Sequence, residues 1–366
     1  MPRIPAAIRE RAHAVGGVVR DALLDLPPGR DLDLVVEGAL DPGPDWSAHD
    51  RFGTAIKVFP EGTLHVGATR VERYPSPGAL PEVAEGTLDD DLARRDITVN
   101  AMAFPLFGDD AGRLIDNHGG LGDLRARVMR ILRPDAFVED PSRLVRVARY
   151  AARLGFSVEP STEAAARAAA PALDPANSRV AGEVRRVLEE DAAGALRLLA
   201  DLGVPWVGDP SALAVIDGAL AEHGIPDVAP WAARLAAAVA PDAAEIAALP
   251  GWAVATAREL RRGAEVATAI HEGAAPSAWD RALAALRPAG VVGALATGRP
   301  EVARWWRNDR LRRAEIDGSD LVRAGIAPGP AIGRALAAVR AAILDGGVAT
   351  RDSQLDLALR VAREEP

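Results

Sequence analysis

Two short runs of this chain carry residues that could do chemistry together. The first is Gly16-Gly17-Val18-Val19-Arg20-Asp21, followed by Asp31-Leu32-Asp33-Leu34-Val35-Val36; the second is Arg94-Arg95-Asp96-Ile97-Thr98-Val99-Asn100-Ala101. Side chains alternate across a strand, so Asp31 and Asp33 share one face while Leu32 and Leu34 share the other. Carboxylates fixed this close repel each other unless a cation sits between them. Mg2+ suits such a pair, because it takes oxygen ligands and is held by one or two carboxylates together with water and phosphate oxygens. A paired-metal arrangement would activate an attacking hydroxyl and neutralise charge on a leaving pyrophosphate. His13 to Val15 reads as a short strand and Val18 to Leu24 as the opening of a helix, so Gly16-Gly17 is a strand-to-helix turn whose backbone N–H groups can approach a phosphate. Arg20 could reach the same anion, and Asp21 could orient an arginine or a ribose. An isolated Asp-x-Asp is most often a solvated strand face, and an isolated Gly-Gly an ordinary turn. Their occurrence together with a cationic, polar second run describes a site that binds a metal-bound nucleoside triphosphate and transfers its nucleotidyl group.

The elements that must position these residues read as two regions. Up to about Arg125 short strands, such as 55–59, mix with turns. Beyond it 163–170, 182–202 and 231–240 carry apolar residues at helical spacing, punctuated by prolines. Arg143, Arg146, Arg149 and Arg153 form one basic helix stripe, with Glu139–Arg143 an i,i+4 pair; such a stripe is ordinarily a solvated face. In 299–313, arginines alternate with Trp305 and Trp306, which fits either a surface for RNA phosphates and bases or an amphipathic helix whose tryptophans are core.

At 366 residues the chain should hold two or more domains. It has no cysteine, which excludes disulfides and thiolate metal sites, and its six histidines form no metal-binding motif. No signal-peptide core or membrane-length apolar run is present, so a cytoplasmic protein is expected, with no membrane partner. A net charge of -9 gives no general attraction to nucleic acid, so RNA contact would depend on a local basic patch.

In order along the chain, GGVVRD at 16–21, DLDLVV at 31–36, RRDITVNAMA at 94–103, LIDNHGGLGDL at 114–124 and EDPSRLVRVARYAARLGF at 139–156 resemble the motif set of class II tRNA nucleotidyltransferases. These are the CCA-adding enzymes, whose relatives include bacterial poly(A) polymerases. The resemblance runs from Val15 to Leu188 and returns from Gly318 to Gly333. It implies an α+β fold with a polymerase β-like head built on a small mixed sheet at 1–125, then an all-helical neck at 126–190, body at 191–300 and tail at 301–366, the tail contacting tRNA. Arg94, Arg95, Asp96 and Asn100 would hold ribose and triphosphate, beside Gly16, Gly17, Arg20 and Asp21. Glu139, Asp140 and Arg143, on the helix that also bears Arg146 and Arg149, would read the base edge of CTP or ATP. A carboxylate accepts from an exocyclic amine and a guanidinium donates to ring acceptors. Asp31 and Asp33 would be catalytic through Mg2+. The segment from Asp116 to Leu124 resembles the hinge, with Asp123 capping the next helix, while Arg179 and Glu183 match a motif that braces the neck.

Two features depart from the family: 38–50 is too rich in glycine and proline for the helix relatives carry there, and His65 stands where relatives commonly have aspartate. The segment 73–91, matching a flexible loop, is full length, which disfavours addition of C alone. The implied function is template-independent addition of CCA to tRNA 3′ ends from CTP and ATP, with no DNA substrate. A-addition alone, poly(A) synthesis, and a non-catalytic RNA-binding protein with a degenerate fold remain the alternatives.

Overall fold

The computed structural model describes residues 4, 6–27, 29, 31–41, 43, 46–49, 53–190, 192–208, 211–225, 228, 230, 234 and 251–364. The chain divides into two compact units, 1–207 and 208–366.

Unit 1 begins with α1 (Ala6–Arg9), β1 (Ala12–Val15), α2 (Gly17–Leu23), β2 (Asp31–Val36), β3 (Ser47–His49), β4 (Thr54–Phe59), β5 (Gly62–Ala68), β6 (Arg70–Arg73), β7 (Glu82–Glu85), α3 (Leu88–Ala93) and β8 (Ala103–Pro105). Six strands form one sheet in the order β3-β4-β5-β2-β1-β8. Only the β2–β5 pair is parallel, with Asp33 beside His65, so the sheet is mixed. Strand β2 changes character along its length: Asp31 and Asp33 are exposed, whereas Leu34, Val35 and Val36 are buried. Val35 shares the aspartate face and packs with Val15, Ala101, Ala103 and the α3 residues Leu88 and Leu92. Helix α3 therefore covers the inner end of that face, and the aspartates stand at its open end. On β1 and β2 also packs α2. The helix missing from 38–50 is replaced in part by β3, an edge strand on β4.

The segment 73–91 is not one loop. It contains β7, which pairs with β6 as a hairpin, and most of α3, whose start is fixed by a reciprocal capping box between Thr87 and Asp90.

The rest of unit 1 is α4 (Gly120–Ala126), β9 (Val128–Met129), α5 (Ala136–Glu139), α6 (Ser142–Leu154), β10 (Ser157–Val158), α7 (Pro160–Ala169), α8 (Ser178–Glu189) and α9 (Ala192–Asp201). Two expectations are corrected here. Asp123 lies inside α4 and does not cap it; the carboxylate of Asp116 accepts from Gly120 N and Leu121 N at 2.7 and 2.9 Å. Asp123 instead accepts from the Thr98 hydroxyl at 2.7 Å and from Arg130. The span read as one helix over 182–202 is broken between α8 and α9, where Glu190 takes an extended conformation.

Unit 2 contains α10 (Ser211–His223), α11 (Gly251–Ala269), α12 (Pro276–Leu283), α13 (Pro288–Leu295), α14 (Pro300–Arg307), α15 (Gly318–Arg323), α16 (Pro330–Leu344) and α17 (Arg351–Arg363). The helix read over 231–240 falls almost wholly outside the described residues. The tryptophans of 299–313 pack inward: Trp305 is buried in a core with Trp279, Leu283 and Val302 and donates to Asp280 at 2.9 Å, and Trp306 donates to the His223 carbonyl at 2.9 Å. Arg310 lies over the Trp306 ring at 3.8 Å, so the aromatic part of this run is packing, as an amphipathic helix requires. Among the described residues no helix is long and apolar enough to cross a membrane.

Candidate active site

The floor of the site is the turn between β1 and α2. Gly16 has φ 73°, a conformation glycine adopts without strain. A Cβ at Gly16 would also lie 2.8 Å from Nη1 of Arg95. The turn is thus built to let the Arg95 guanidinium come down on bare backbone. Helix α3 supplies the anchor: the fully buried carboxylate of Asp91 holds Arg94 Nη2 at 2.7 Å and Arg95 Nη2 at 2.9 Å. Arg94 is pinned a second time by Glu72 at 2.8 Å, and Arg70 binds the same oxygen at 2.9 Å. Burial pushes the Glu72 carboxyl up, but the charges of Arg94 and Arg70 outweigh it and the net shift is downward. Arg95 Nε is buried with no hydrogen-bond partner among the described residues. An unsatisfied cationic donor beside a glycine turn is suited to a phosphate oxygen.

The wall opposite is built by α6 and α8. Asp96, only 6% exposed, accepts from Arg146 Nε at 2.7 Å, from Ile97 N at 2.9 Å and from Asn100 Nδ2 at 3.3 Å. Burial alone would raise its pKa, yet the Arg146 charge and these hydrogen bonds bring it down to about 2. Arg146 reaches on to Glu183 at 3.1 Å, and the same buried glutamate holds Arg149 at 3.2 Å and also Arg186. The arginine stripe of α6 is therefore solvated only at Arg153. Arg143 and Arg149 are buried, and Arg146 is mostly covered, because acidic side chains from the sheet region and α8 meet them.

At the N-terminal end of α6, Asp140 Oδ1 accepts from Ser142 N and Oγ at 3.0 and 2.6 Å, while Oδ2 pairs with Arg179 at 2.8 Å. Arg143 pairs with Glu139 at 3.1 Å, donates to the Arg94 carbonyl at 2.9 Å and lies 5.6 Å from the Tyr74 ring centroid. Burial, with Glu72 alongside, pushes the Tyr74 phenol up to about 12.

These walls enclose a cavity of about 680 Å³. Gly16, Gly17, Asp33, Arg94, Arg95, Asp96, Asn100, Asp140, Arg143 and Arg146, all singled out in the sequence, line it together. Other expected residues do not. Arg20 is buried behind the turn, where it donates to Asn100 Oδ1 at 2.7 Å and to Asp21 at 2.8 Å and lies over the Tyr150 ring. Arg20 and Asp21 thus brace the turn from below and do not face the cavity. Arg149 is consumed by Glu183 and Glu190, and Glu139 by Arg133 and Arg143, so neither lines the cavity. Asp31 lies beyond its rim. Sequence reasoning missed Arg70, Glu72, Tyr74, Tyr150 and Ser178, and it took Arg179 and Glu183, which also line the cavity, only as a brace for the neck. The i,i+4 spacing of Arg179 and Glu183 was the available signal, since it sets both on one face of a helix.

The carboxylates of Asp31 and Asp33 make no ion pair or hydrogen bond among the described residues, and they share the open end of one sheet face. No group of three or more His, Cys, Asp or Glu side chains among those residues is placed to hold a metal. His65 sits beside Asp33 in register, and both line an adjoining cavity of about 260 Å³, but His65 does not complete a three-ligand cage. Two free carboxylates on one sheet face could hold a divalent cation, with most of its coordination left to water and other oxygens.

A mixed sheet bearing paired aspartates, a glycine turn and a two-arginine clamp, closed by a helical wall, defines a nucleotidyltransferase. Residues 12–130 match the family model described as the poly A polymerase head domain. The chain is 35% identical over 356 residues to the CC-adding tRNA nucleotidyltransferase of Deinococcus radiodurans, covering 93% of this chain and 86% of that one. It is 41% identical over 195 residues to the A-adding tRNA nucleotidyltransferase of Aquifex aeolicus, covering half of this chain but only 23% of the relative's length. A solved CCA-adding enzyme in an apo form superposes with a TM-score of 0.79 at 26% identity, over 95% of this chain and 91% of that one. The chain belongs to the tRNA nucleotidyltransferase family, whose members generally act with a divalent metal ion.

Proposed function

We propose that this chain adds CCA to the 3′ ends of tRNA, taking CTP and ATP without a nucleic-acid template. The observation that carries the reading is the convergence in one cavity of a phosphate clamp, a free carboxylate of β2 and the Asp140–Arg143 pair. Gly16, Gly17 and the Arg95 guanidinium would receive the triphosphate. Arg94, held by Asp91 and Glu72, stands at the same wall. Asp96 is an ionised acceptor facing the cavity, suited to ribose hydroxyls. Asp140 would accept from the exocyclic amine shared by C and A, and Arg143 would donate to ring acceptors, so protein groups stand in for a template. The terminal 3′ oxygen of the tRNA bonds to the α-phosphorus as the α–β bridging bond breaks and pyrophosphate leaves. Asp31 and Asp33 would hold Mg2+, which supplies charge neutralisation and a more acidic attacking hydroxyl when bound. The proposed organisation is the head at 1–125, neck at 126–190, body at 191–300 and tail at 301–366, in the cytoplasm.

A narrower reading, addition of CC alone, is favoured by the name of the relative matched over most of its length; the full-length 73–91 segment favours the broader one. The deciding experiment supplies CTP and ATP, separately and together with Mg2+, to a tRNA lacking CCA and to a tRNA ending in CC. Products read at single-nucleotide resolution should show C, C and A on the first and A on the second. A stop after CC supports the narrower reading, and addition of A to the second alone would mean an A-adding enzyme. No addition to either would overturn the enzymatic reading. Asp31→Ala should abolish incorporation while tRNA binding persists.

A further inference from the structure

Three guanidinium groups surround one tyrosine ring at the wall of the nucleotide cavity. The central carbons of Arg149, Arg20 and Arg146 lie 4.4, 4.7 and 5.6 Å from the Tyr150 ring centroid. Each cation is itself pinned: Arg149 by Glu183 and Glu190, Arg20 by Asn100 and Asp21, Arg146 by Asp96 and Glu183. Cations fixed in this way attract the faces of an aromatic ring, so Tyr150 has little freedom to turn. The contacts also close a circuit. Arg20 donates to Asn100 Oδ1 at 2.7 Å, Asn100 donates to Asp96 at 3.3 Å, and Asp96 pairs with Arg146 at 2.7 Å; Arg146 then returns to the ring that Arg20 touches. Within this circuit the Tyr150 hydroxyl is uncommitted. It makes no hydrogen bond among the described residues and is not buried, and the partly exposed side chain lines the cavity with Gly17, Asp96, Asn100 and Arg146. A phenyl ring would serve the three cations equally well, so packing accounts for the ring and leaves the oxygen without a use.

We propose that the Tyr150 hydroxyl donates a hydrogen bond to the ribose 2′-hydroxyl of the incoming nucleotide, and so selects ribonucleotides over 2′-deoxyribonucleotides. This rests on the nucleotidyl-transfer reading above. A sugar hydroxyl both donates and accepts. The ionised carboxylate of Asp96 accepts its proton but has none to give, so the sugar oxygen needs a donor from a second side. Arg146 Nε, Asn100 Nδ2 and the Ile97 N–H are spent on Asp96 itself, whereas the phenol stands free in the same circuit. The order along α6 gives the sugar its place. Arg143 comes first, Arg146 with Asp96 one turn later, and Tyr150 one turn beyond, against the Arg20 guanidinium that lies next to Gly17. A base at Arg143 and a triphosphate at Gly16-Gly17 leave the sugar against Asp96 and Tyr150. A site that hydrogen-bonds a hydroxyl rejects the analogue lacking it, because the protein group is then left unpaired once the ligand shuts out water.

The test crosses wild type and Tyr150→Phe with CTP and 2′-deoxy-CTP. The Kd of each pair is measured by calorimetry on the full chain, with Mg2+ and without tRNA, so that the result does not depend on turnover. Phenylalanine keeps the ring and its three cations, and hydrogen exchange of the α6 amides should match wild type. Wild type should bind CTP more tightly than 2′-deoxy-CTP. In Tyr150→Phe the affinity for CTP should fall about fivefold to tenfold, the scale of one oriented hydrogen bond, while that for 2′-deoxy-CTP changes by less than about twofold. The preference for the ribonucleotide should shrink by the same factor. Equal weakening of both nucleotides would put the hydroxyl on a group that they share, and no change in either would leave it touching neither; each result overturns the inference alone. So would a wild-type chain that binds the two nucleotides equally. A wild-type chain that binds neither would overturn the functional reading, and this inference with it.

Discussion

Replacing Asp96 by Asn probes the tie between the Arg94–Arg95 region and α6. Asp96 is buried against Arg146, with Oδ2 at 2.7 Å from its Nε. Its pKa falls from an ordinary 3.8 to about 2, because Arg146 and the flanking hydrogen bonds outweigh the upward push of burial. That gap is on the order of two units, and at roughly 1.4 kcal/mol per unit the ionised carboxylate contributes about 2–3 kcal/mol. The folded value lies below the unfolded one, so the contribution is complete above about pH 4 and is lost as pH falls toward about 2. Asparagine keeps the shape but carries no charge at any pH. The variant should thus be less stable by about 2–3 kcal/mol at pH 7, and the difference should close as the solution is acidified to about pH 2. Because the two compact units need not unfold together, a single melting temperature would mix them. Urea-dependent hydrogen exchange of the α6 amides, at a series of pH values, reads the local free energy directly. A difference under about 0.5 kcal/mol at pH 7, the range of an ordinary surface substitution, would refute the reasoning. So would a difference that does not change between pH 5 and pH 2.

Other outcomes follow from the same geometry. Gly16→Ala forces Arg95 off the turn and strains a φ of 73°; triphosphate affinity, measured by calorimetry, should drop roughly tenfold while stability falls only about 1 kcal/mol. Unchanged affinity would remove the turn from the site. Glu183→Gln takes the shared anion from Arg146, Arg149 and Arg186 and should cost about 3 kcal/mol in urea denaturation; a loss near zero would mean the arginines are adequately paired elsewhere. The Tyr74 phenol, raised from 10.0 to about 12, contributes stability that is present below pH 10 and lost as pH rises through about 12. Ultraviolet titration of wild type and Tyr74→Phe should assign the transition near 12 to Tyr74, and a Phe variant that still shows that transition in full would refute it.

The parts of this molecule written in local sequence were the ones legible in advance. Strand alternation set Asp31 and Asp33 on one face, and the Gly-Gly pair marked the turn where Arg95 approaches backbone. What stayed hidden was decided by partners distant in sequence. Arg20 looked like a phosphate ligand because the cavity behind Gly17 that receives it is made by Asn100 and Tyr150, far along the chain. The α6 arginines resembled a solvated stripe because Asp96, Glu183 and Glu190, which bury them, lie up to 50 residues away. Asp123 sat at a plausible capping position, but Asp116 reached the helix start first. The place of Trp305 and Trp306 was likewise a choice between an RNA-facing surface and an amphipathic helix with core tryptophans, and it was decided by Asp280 and the His223 carbonyl.

The charge lattice around Asp96 also bears on how freely this protein's parts can be exchanged. A fragment ending near Arg125 would keep the sheet, the glycine turn and both aspartates. It would take Arg146 from Asp96, and from the Arg94 and Ala93 carbonyls the donors that Arg143 and Arg133 supply at 2.9 and 2.8 Å. The catalytic head is therefore not a cassette. Its cations and anions are balanced only together with α6 and α8, so a chimera that joins this head to a foreign helical partner must carry over that ionic seam as well as the hydrophobic one.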